Sequence, residues 1–224
     1  FHLVWTSSWG DDYGFGYASS RDLVHWSEQR HIALMHDYDT LTRNVWAPEL
    51  FHESSADEYY IIWASAIPRR FDGTQRLYYT VTRDFCEFSP ARLFYEPGYN
   101  TIDGIVVKRG ERDYRLIVKD NRKPGYSHLF AVAGTSPVGP WGDKTLPFTP
   151  EWSEGPTCIR VGDDYLIYYD RYRSYTFGAV RTRDFQHFED ITSLISIPKG
   201  HKHGTAIKVD ASVVERLLRV KPCP

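Results

Sequence analysis

The chain of 224 residues is poor in several features, and each shortage excludes something. Its three cysteines, Cys86, Cys158 and Cys223, stand far apart and form no CxxC pair or His/Cys cluster. That argues against a disulfide-built scaffold and a zinc centre of the usual spacing, leaving free thiols or at most one bridge and no assignment of compartment. No apolar run approaches the length of a membrane span, and no signal-peptide pattern opens the chain. Neither sign of charge dominates, with 27 basic against 29 acidic residues, a net charge of −2 and no block of like charge. The electrostatic footprint of a nucleic-acid or membrane-surface protein is therefore missing, and neither partner is expected. Helical patterning is scarce too: only the stretch after Asp210, an N-cap candidate, places apolar residues at helical spacing, predicting a short closing helix over about 211–219.

Aromatic residues, by contrast, are plentiful, with 7 Trp, 16 Tyr and 12 Phe. They exceed what a core needs, which suits either stacking on ring-shaped ligands or packing between layers. Their distribution follows a repeat. The segments Trp46-Ala47-Pro48-Glu49-Leu50, Ile102-Asp103-Gly104-Ile105-Val106, Ser153-Glu154-Gly155-Pro156-Thr157 and His203-Gly204-Thr205-Ala206-Ile207 each offer one polar residue before an apolar run. From Glu49 to Asp103, Glu154 and His203 the steps are 54, 51 and 49 residues. Repeats of that period read as propeller blades, with the four segments as innermost strands facing a shared axis.

Two further parts accompany the repeat. About twelve residues on come β-branched and aromatic runs around Trp63, Ile117 and Ile167, which read as second strands. Third strands then run into Thr82-Arg83-Asp84-Phe85 and Thr182-Arg183-Asp184-Phe185, where an Asp bonding local amides makes a structural corner. The N-terminus has the second part (residues 1–6) and the corner (Ser20-Arg21-Asp22-Leu23) but not the first. The expectation is one all-β propeller domain over 1–224, with a partial first blade over 1–30 whose innermost strand lies upstream of Phe1. Stretches 68–73 and 137–147, rich in Gly and Pro, are expected as linkers between blades.

Carboxylates across a cleft suit glycoside hydrolysis, one protonating the leaving oxygen and another activating water or attacking the anomeric carbon. Asp103 and Glu154 begin adjacent innermost strands, and a like-charged neighbour is expected to raise the carboxyl pKa for the acid role. For any single acid before a Gly a turn role is the simpler reading; three acids in one repeat shift the balance towards function. In order and spacing, the Trp46-Ala47-Pro48, Ile102-Asp103, Glu154-Gly155-Pro156 and His203-Gly204-Thr205 segments resemble the five-bladed β-propeller enzymes of glycoside hydrolase family 43, over nearly the whole chain. The resemblance implies an inverting mechanism with Asp103 as the pKa-tuning residue and Glu154 as the general acid. The family's base, an Asp on the first blade, would precede Phe1, so the chain as written is expected to lack it.

The family favours furanosides and xylosides, with arabinofuranose foremost. The alternatives are an inactive propeller that binds carbohydrate and a retaining relative of the sucrose and fructan hydrolases. Glu49 is then a hydroxyl acceptor for the sugar, or an inward structural carboxylate. Trp9 at the rim and Trp46 beside Glu49 are stacking candidates, with core packing the better account of Trp46. Of the pairs Lys119-Asp120 and Asp170-Arg171, which end equivalent strands, Asp120 and Arg171 are taken as substrate contacts, against the simpler reading of salt bridges between blades. His203 resembles an axial histidine that helps hold calcium in some members, so a structural calcium near it is possible, although no cofactor is required and the chain has no oxygen-rich calcium loop. Carbohydrate is the expected partner.

Overall fold

The runs around Trp63, Ile117 and Ile167 carry apolar side chains at consecutive positions, which a strand tolerates only when both its faces are covered. The computed structural model, which describes residues 1–198 and 200–220, shows how that is met. Three strands, β1 (His2–Trp5), β2 (Phe15–Ser19) and β3 (Arg30–Ile32), form a first sheet, and a single helical turn, α1 (Met35–Tyr38), follows. Four-stranded antiparallel sheets come next: β4 (Trp46–Glu53), β5 (Glu58–Ala66), β6 (Gln75–Thr82) and β7 (Arg92–Tyr95), then β8 (Thr101–Gly110), β9 (Asp113–Asp120), β10 (Leu129–Gly134) and β11 (Trp141–Lys144). The last comprises β12 (Glu154–Val161), β13 (Asp164–Arg171), β14 (Thr176–Thr182) and β15 (Glu189–Asp190), after which come a 3₁₀ turn (Thr192–Leu194) and the helix α2 (Ala211–Arg219). Each sheet is a meander, its strands paired in chain order.

Alternating side-chain direction shares each second strand between two cores. Ile61 and Trp63 pack with Phe15, Tyr17 and Phe85 between the first and second sheets, whereas Ile62 and Ala64 meet Leu116, Val118 and Phe130 between the second and third. Ile117 turns the other way, onto Ile167, Tyr169 and Val180 of the fourth. The sheets are thus blades stacked around an axis, with β8 packed between β4 and β12 and β1 against β4. This is an all-β propeller with four blades.

The corners behave as read. Thr82 Oγ1 accepts from the Phe85 amide at 2.9 Å while Asp84 Oδ1 accepts from Cys86 and Glu87, and Thr182 with Asp184 repeats the arrangement. Two expectations are corrected. Stretch 68–73 is a turn within the second blade, and 137–147 contains β11, so neither links blades. Residues 203–207 do not form an innermost strand but an irregular segment, tied to β12 where the Ala206 amide donates to Thr157 Oγ1 at 3.0 Å. A strand needs a ladder partner; here the segment is followed by helix α2 instead of an aromatic strand. Cys86 and Cys158 are free thiols, and Cys223 lies outside the described residues.

Candidate active site

The cleft is made where the inner strands begin, and a shared irregularity shapes it. In β4, Trp46 pairs with Ala64 but Glu49 with Ile62; in β8, Ile102 pairs with Lys119 but Ile105 with Ile117; in β12, Glu154 pairs with Asp170 but Thr157 with Tyr168. Two residues oppose one each time, a β-bulge whose first residue takes left-handed backbone: Ala47 (φ 47°), Asp103 (φ 55°) and Gly155 (φ 53°). His203 (φ 39°) is the left-handed residue of the fourth segment. The register thus corrects the sequence alignment. Asp103 occupies the bulge position, Glu49 lies two residues beyond it and Glu154 one before, so the acids are neighbours in space without being equivalents in the repeat.

Asp103 is buried, and its Oδ2 accepts the Gly155 amide at 2.9 Å, which ties the third blade to the fourth beside Glu154. Glu154 carries two cations: Lys119 Nζ from β9 donates to Oε2 at 2.8 Å, and His203 Nε2 stands 3.5 Å from Oε1. Lys119 is 1% exposed and packs its ammonium 4.6 Å from the Tyr172 ring centroid. Gly155 lets His203 approach, since a Cβ there would lie 2.5 Å from the imidazole. Burial drives the Glu154 carboxyl up, but the His203 hydrogen bond and the Lys119 charge outweigh it and hold the group at about 2. The expected upward shift from Asp103 is not what the site produces: two cations dominate one like charge. Burial also disfavours the charged form of His203, yet Glu154 and Asp103 raise it to about 9. Glu49, half-buried and with no cation within 4.0 Å among the described residues, is pushed up by burial to about 8.

Residues 15–215 match the sequence profile of a family described as "Probable glycosyl hydrolase domain", related to glycoside hydrolase family 43. The chain belongs to that family. Among solved structures it resembles a thermostable family-43 glycoside hydrolase (16% identity, TM-score 0.69, covering 85% of this chain and 68% of that one). It also resembles an exo-β-1,3-galactanase from Clostridium thermocellum (16%, TM-score 0.64, 84% and 46%) and an arabinanase from Bacillus subtilis (14%, TM-score 0.60, 83% and 69%). The chain thus spans under half the length of the galactanase. At these identities the structural likeness establishes the fold. No curated protein sequence matches the chain.

On this glycosyl hydrolase scaffold the remaining candidates fall into three groups. Trp9 is 86% exposed at the rim, 6.2 Å from the partly buried Trp46 between ring centroids. Asp120 is buried against Arg122 of its own loop (2.6 Å), and Arg171 is exposed. The other member of each pair is the one that stands beside Glu154. Lys119 and Asp170 share a register position, opposite Ile102 and Glu154 respectively, and both are buried. Asp170 keeps Oδ2 unpartnered among the described residues, with its pKa raised by burial. The strand-end pairs were visible in the sequence, but the ladder register that selects between their members was not.

Ligand atoms of Asp103, Glu154 and His203 lie within 4.8 Å of one another, close enough to share a cation. The donors do not fit calcium, which takes six to eight oxygens. Here the set is two carboxylates and an imidazole, with one carboxylate already bound by a buried ammonium and the other by a backbone amide.

Proposed function

We propose that this propeller is the catalytic domain of an inverting glycosidase acting on furanosides or xylosides, arabinofuranosides foremost. In this reading Glu154 is the general acid, Asp103 tunes and orients it, and the base is an Asp on the innermost strand of the first blade, upstream of Phe1. The observation that carries the reading is the convergence of Asp103, Glu154 and His203 from separate blade segments onto one cleft, within 4.8 Å. The arabinanase likeness supports the sugar class.

A general acid must hold its proton as the leaving oxygen departs, whereas Glu154 rests as a carboxylate. His203 supplies the way out. It sits on an irregular segment, and its 3.5 Å contact is longer than the 2.8 Å bond from Lys119. A sugar that takes the place of His203 against Oε1 removes one of the two stabilising cations and leaves burial to push the carboxyl up.

A second reading rests on Glu49, the carboxyl whose surroundings keep it neutral at pH 7. Groups whose environments drive their pKa values apart make natural acid and base partners, and on that ground Glu49 donates while Glu154 acts as the carboxylate. Glu154→Gln and Glu49→Gln, made in a chain extended upstream and assayed on aryl glycosides with good and poor leaving groups, separate the two. The variant that loses far more on the poor leaving group, by about 10²-fold or more, identifies the acid. Equal losses on both leaving groups in both variants contradict either assignment. No turnover of nitrophenyl arabinofuranoside, xyloside or galactofuranoside, with sugar binding kept, leaves a carbohydrate-binding propeller.

A further inference from the structure

The rim of the third and fourth blades carries cations for which the catalytic reading has no task. In these blades the first strand starts and the second ends at the cleft, so the turns after β9 and β13 border it. Arg173, in the turn after β13, lays its guanidinium 3.4 Å from the Trp152 ring centroid, and Lys123, in the loop after β9, stands 6.0 Å from the same ring. Both are exposed, and among the described residues neither has a carboxylate within 4.0 Å. On the side of the first two blades, Arg43 and Arg70 are instead paired with Asp11 and Asp39. The neighbouring acid of the third and fourth blades, Glu151, gives its Oε1 to the Gly125 amide at 3.1 Å.

Two independent features mark this spot. Trp152, two residues before Glu154, is held in left-handed backbone at φ 70°, a strained conformation for a bulky residue and a recurrent sign of a ligand clamp. Tyr172 stands edge-on to it at 6.0 Å, and its buried hydroxyl has no partner among the described residues. The same ring receives the Lys119 ammonium, so Tyr172 connects the rim to Glu154.

We propose that this rim is a subsite for the carboxylate of a uronic acid residue in the glycan, received by Arg173 with Lys123 beside it. An indole face holds a guanidinium flat without neutralising it, and leaves its N–H edge free for the two parallel bonds a planar carboxylate accepts. The proposal rests on the carbohydrate-cleft reading and adds a charge preference to it.

Calorimetric titration tests it without turnover, using glucuronosyl-xylotriose, its carboxyl-reduced form and a sulfate-ester analogue of that form. The uronate is expected to bind about tenfold or more tightly than the reduced form at about 50 mM salt, with the advantage shrinking as salt screens it. Arg173→Ala should abolish the advantage while leaving binding of the reduced form within about twofold, and Arg173→Lys should restore only part of it, because an ammonium cannot form the bidentate pair. Equal binding of uronate and reduced form, or an advantage that survives Arg173→Ala, overturns the subsite. Tighter binding of the sulfate ester than of the uronate overturns the carboxylate assignment. Turnover of neutral xylosides without a uronate preference overturns this subsite alone, whereas failure of all three to bind overturns the cleft reading with it.

Discussion

A desolvated carboxyl group with no cation in contact keeps its proton, and one gripped by two cations gives it up. Glu49 and Glu154 show both behaviours within one cleft, and stability should record the difference. The folded-state pKa of Glu49 is about 8 against an ordinary 4.5, so the folded chain binds the extra proton between those values and loses stability as pH rises through them. His203, raised from 6.5 to about 9, contributes its stability fully below 6.5 and loses it as pH rises to 9. Glu154, lowered from 4.5 to about 2, acts at the other end, contributing above 4.5 and losing it as pH falls towards 2. Thermal unfolding should therefore show a Tm that is highest near pH 4.5, where the Glu154 contribution is nearly complete and the Glu49 loss begins, and that declines towards pH 9. Glu49→Gln should flatten the portion below pH 8 and leave the His203 portion; an unchanged slope would remove Glu49 from this account. Asp103, Glu154 and His203, singled out in the sequence, come together in the structure, but their charge states could not be read from the sequence. Those depend on Lys119, which the chain places far from Glu154 and the blade stacking brings within 2.8 Å.

At the scale of the element, the bulge near the start of each inner strand is the device that aims the cleft side chains. It needs left-handed backbone, which glycine adopts at little cost and alanine does not. Gly155 meets that need directly, while Ala47 carries the strain at φ 47°. Ala47→Gly should raise stability by about 0.5–1 kcal/mol, the left-handed penalty of about 1–2 kcal/mol less the entropy cost of glycine, as read by urea unfolding. Gly155→Ala should do the reverse and also push His203 away from Glu154, because the new methyl would meet the imidazole. The His203 titration, followed by NMR, should then move back towards 6.5; a titration left near 9 would show that the contact does not depend on this glycine. The strands themselves could be read from alternation and aromatic content. The bulge could not, since a one-residue slip leaves no mark in composition, and that is why the spacing alignment set Glu49, Asp103 and Glu154 at equal positions.

Across the molecule, the blades are joined at the end of β4 by a buried acid. Glu53 Oε2 accepts from the Tyr114 hydroxyl at 2.7 Å, and Oε1 receives Lys108 and the Ser55 hydroxyl of its own blade, so both oxygens of a second-blade carboxylate are held by the third blade. These partners outweigh burial and hold its pKa at about 2. Glu53→Leu leaves the Lys108 ammonium and the Tyr114 hydroxyl without their acceptor and should cost about 2–4 kcal/mol, the lower part of the range for breaking a buried pair because Lys108 is partly exposed. Tyr114→Phe should cost about 1 kcal/mol. Urea unfolding measures both, and a Glu53→Leu loss under about 1 kcal/mol would show that the clasp is not stabilising.

The repeat period, the aromatic second strands, the Thr-Arg-Asp corners, the closing helix and the family were settled by the sequence alone, because each rests on contacts between residues near in the chain or on a pattern repeated along it. The ladder register, the placing of Lys119 and Asp170 beside Glu154, the failure of 203–207 to form a strand and the opposed charge states of Glu49 and Glu154 were decided by the tertiary structure. Those depend on which side chains separate blades bring into one poorly solvated cleft, where a single ammonium at 2.8 Å changes the protonation of an acid 35 residues away.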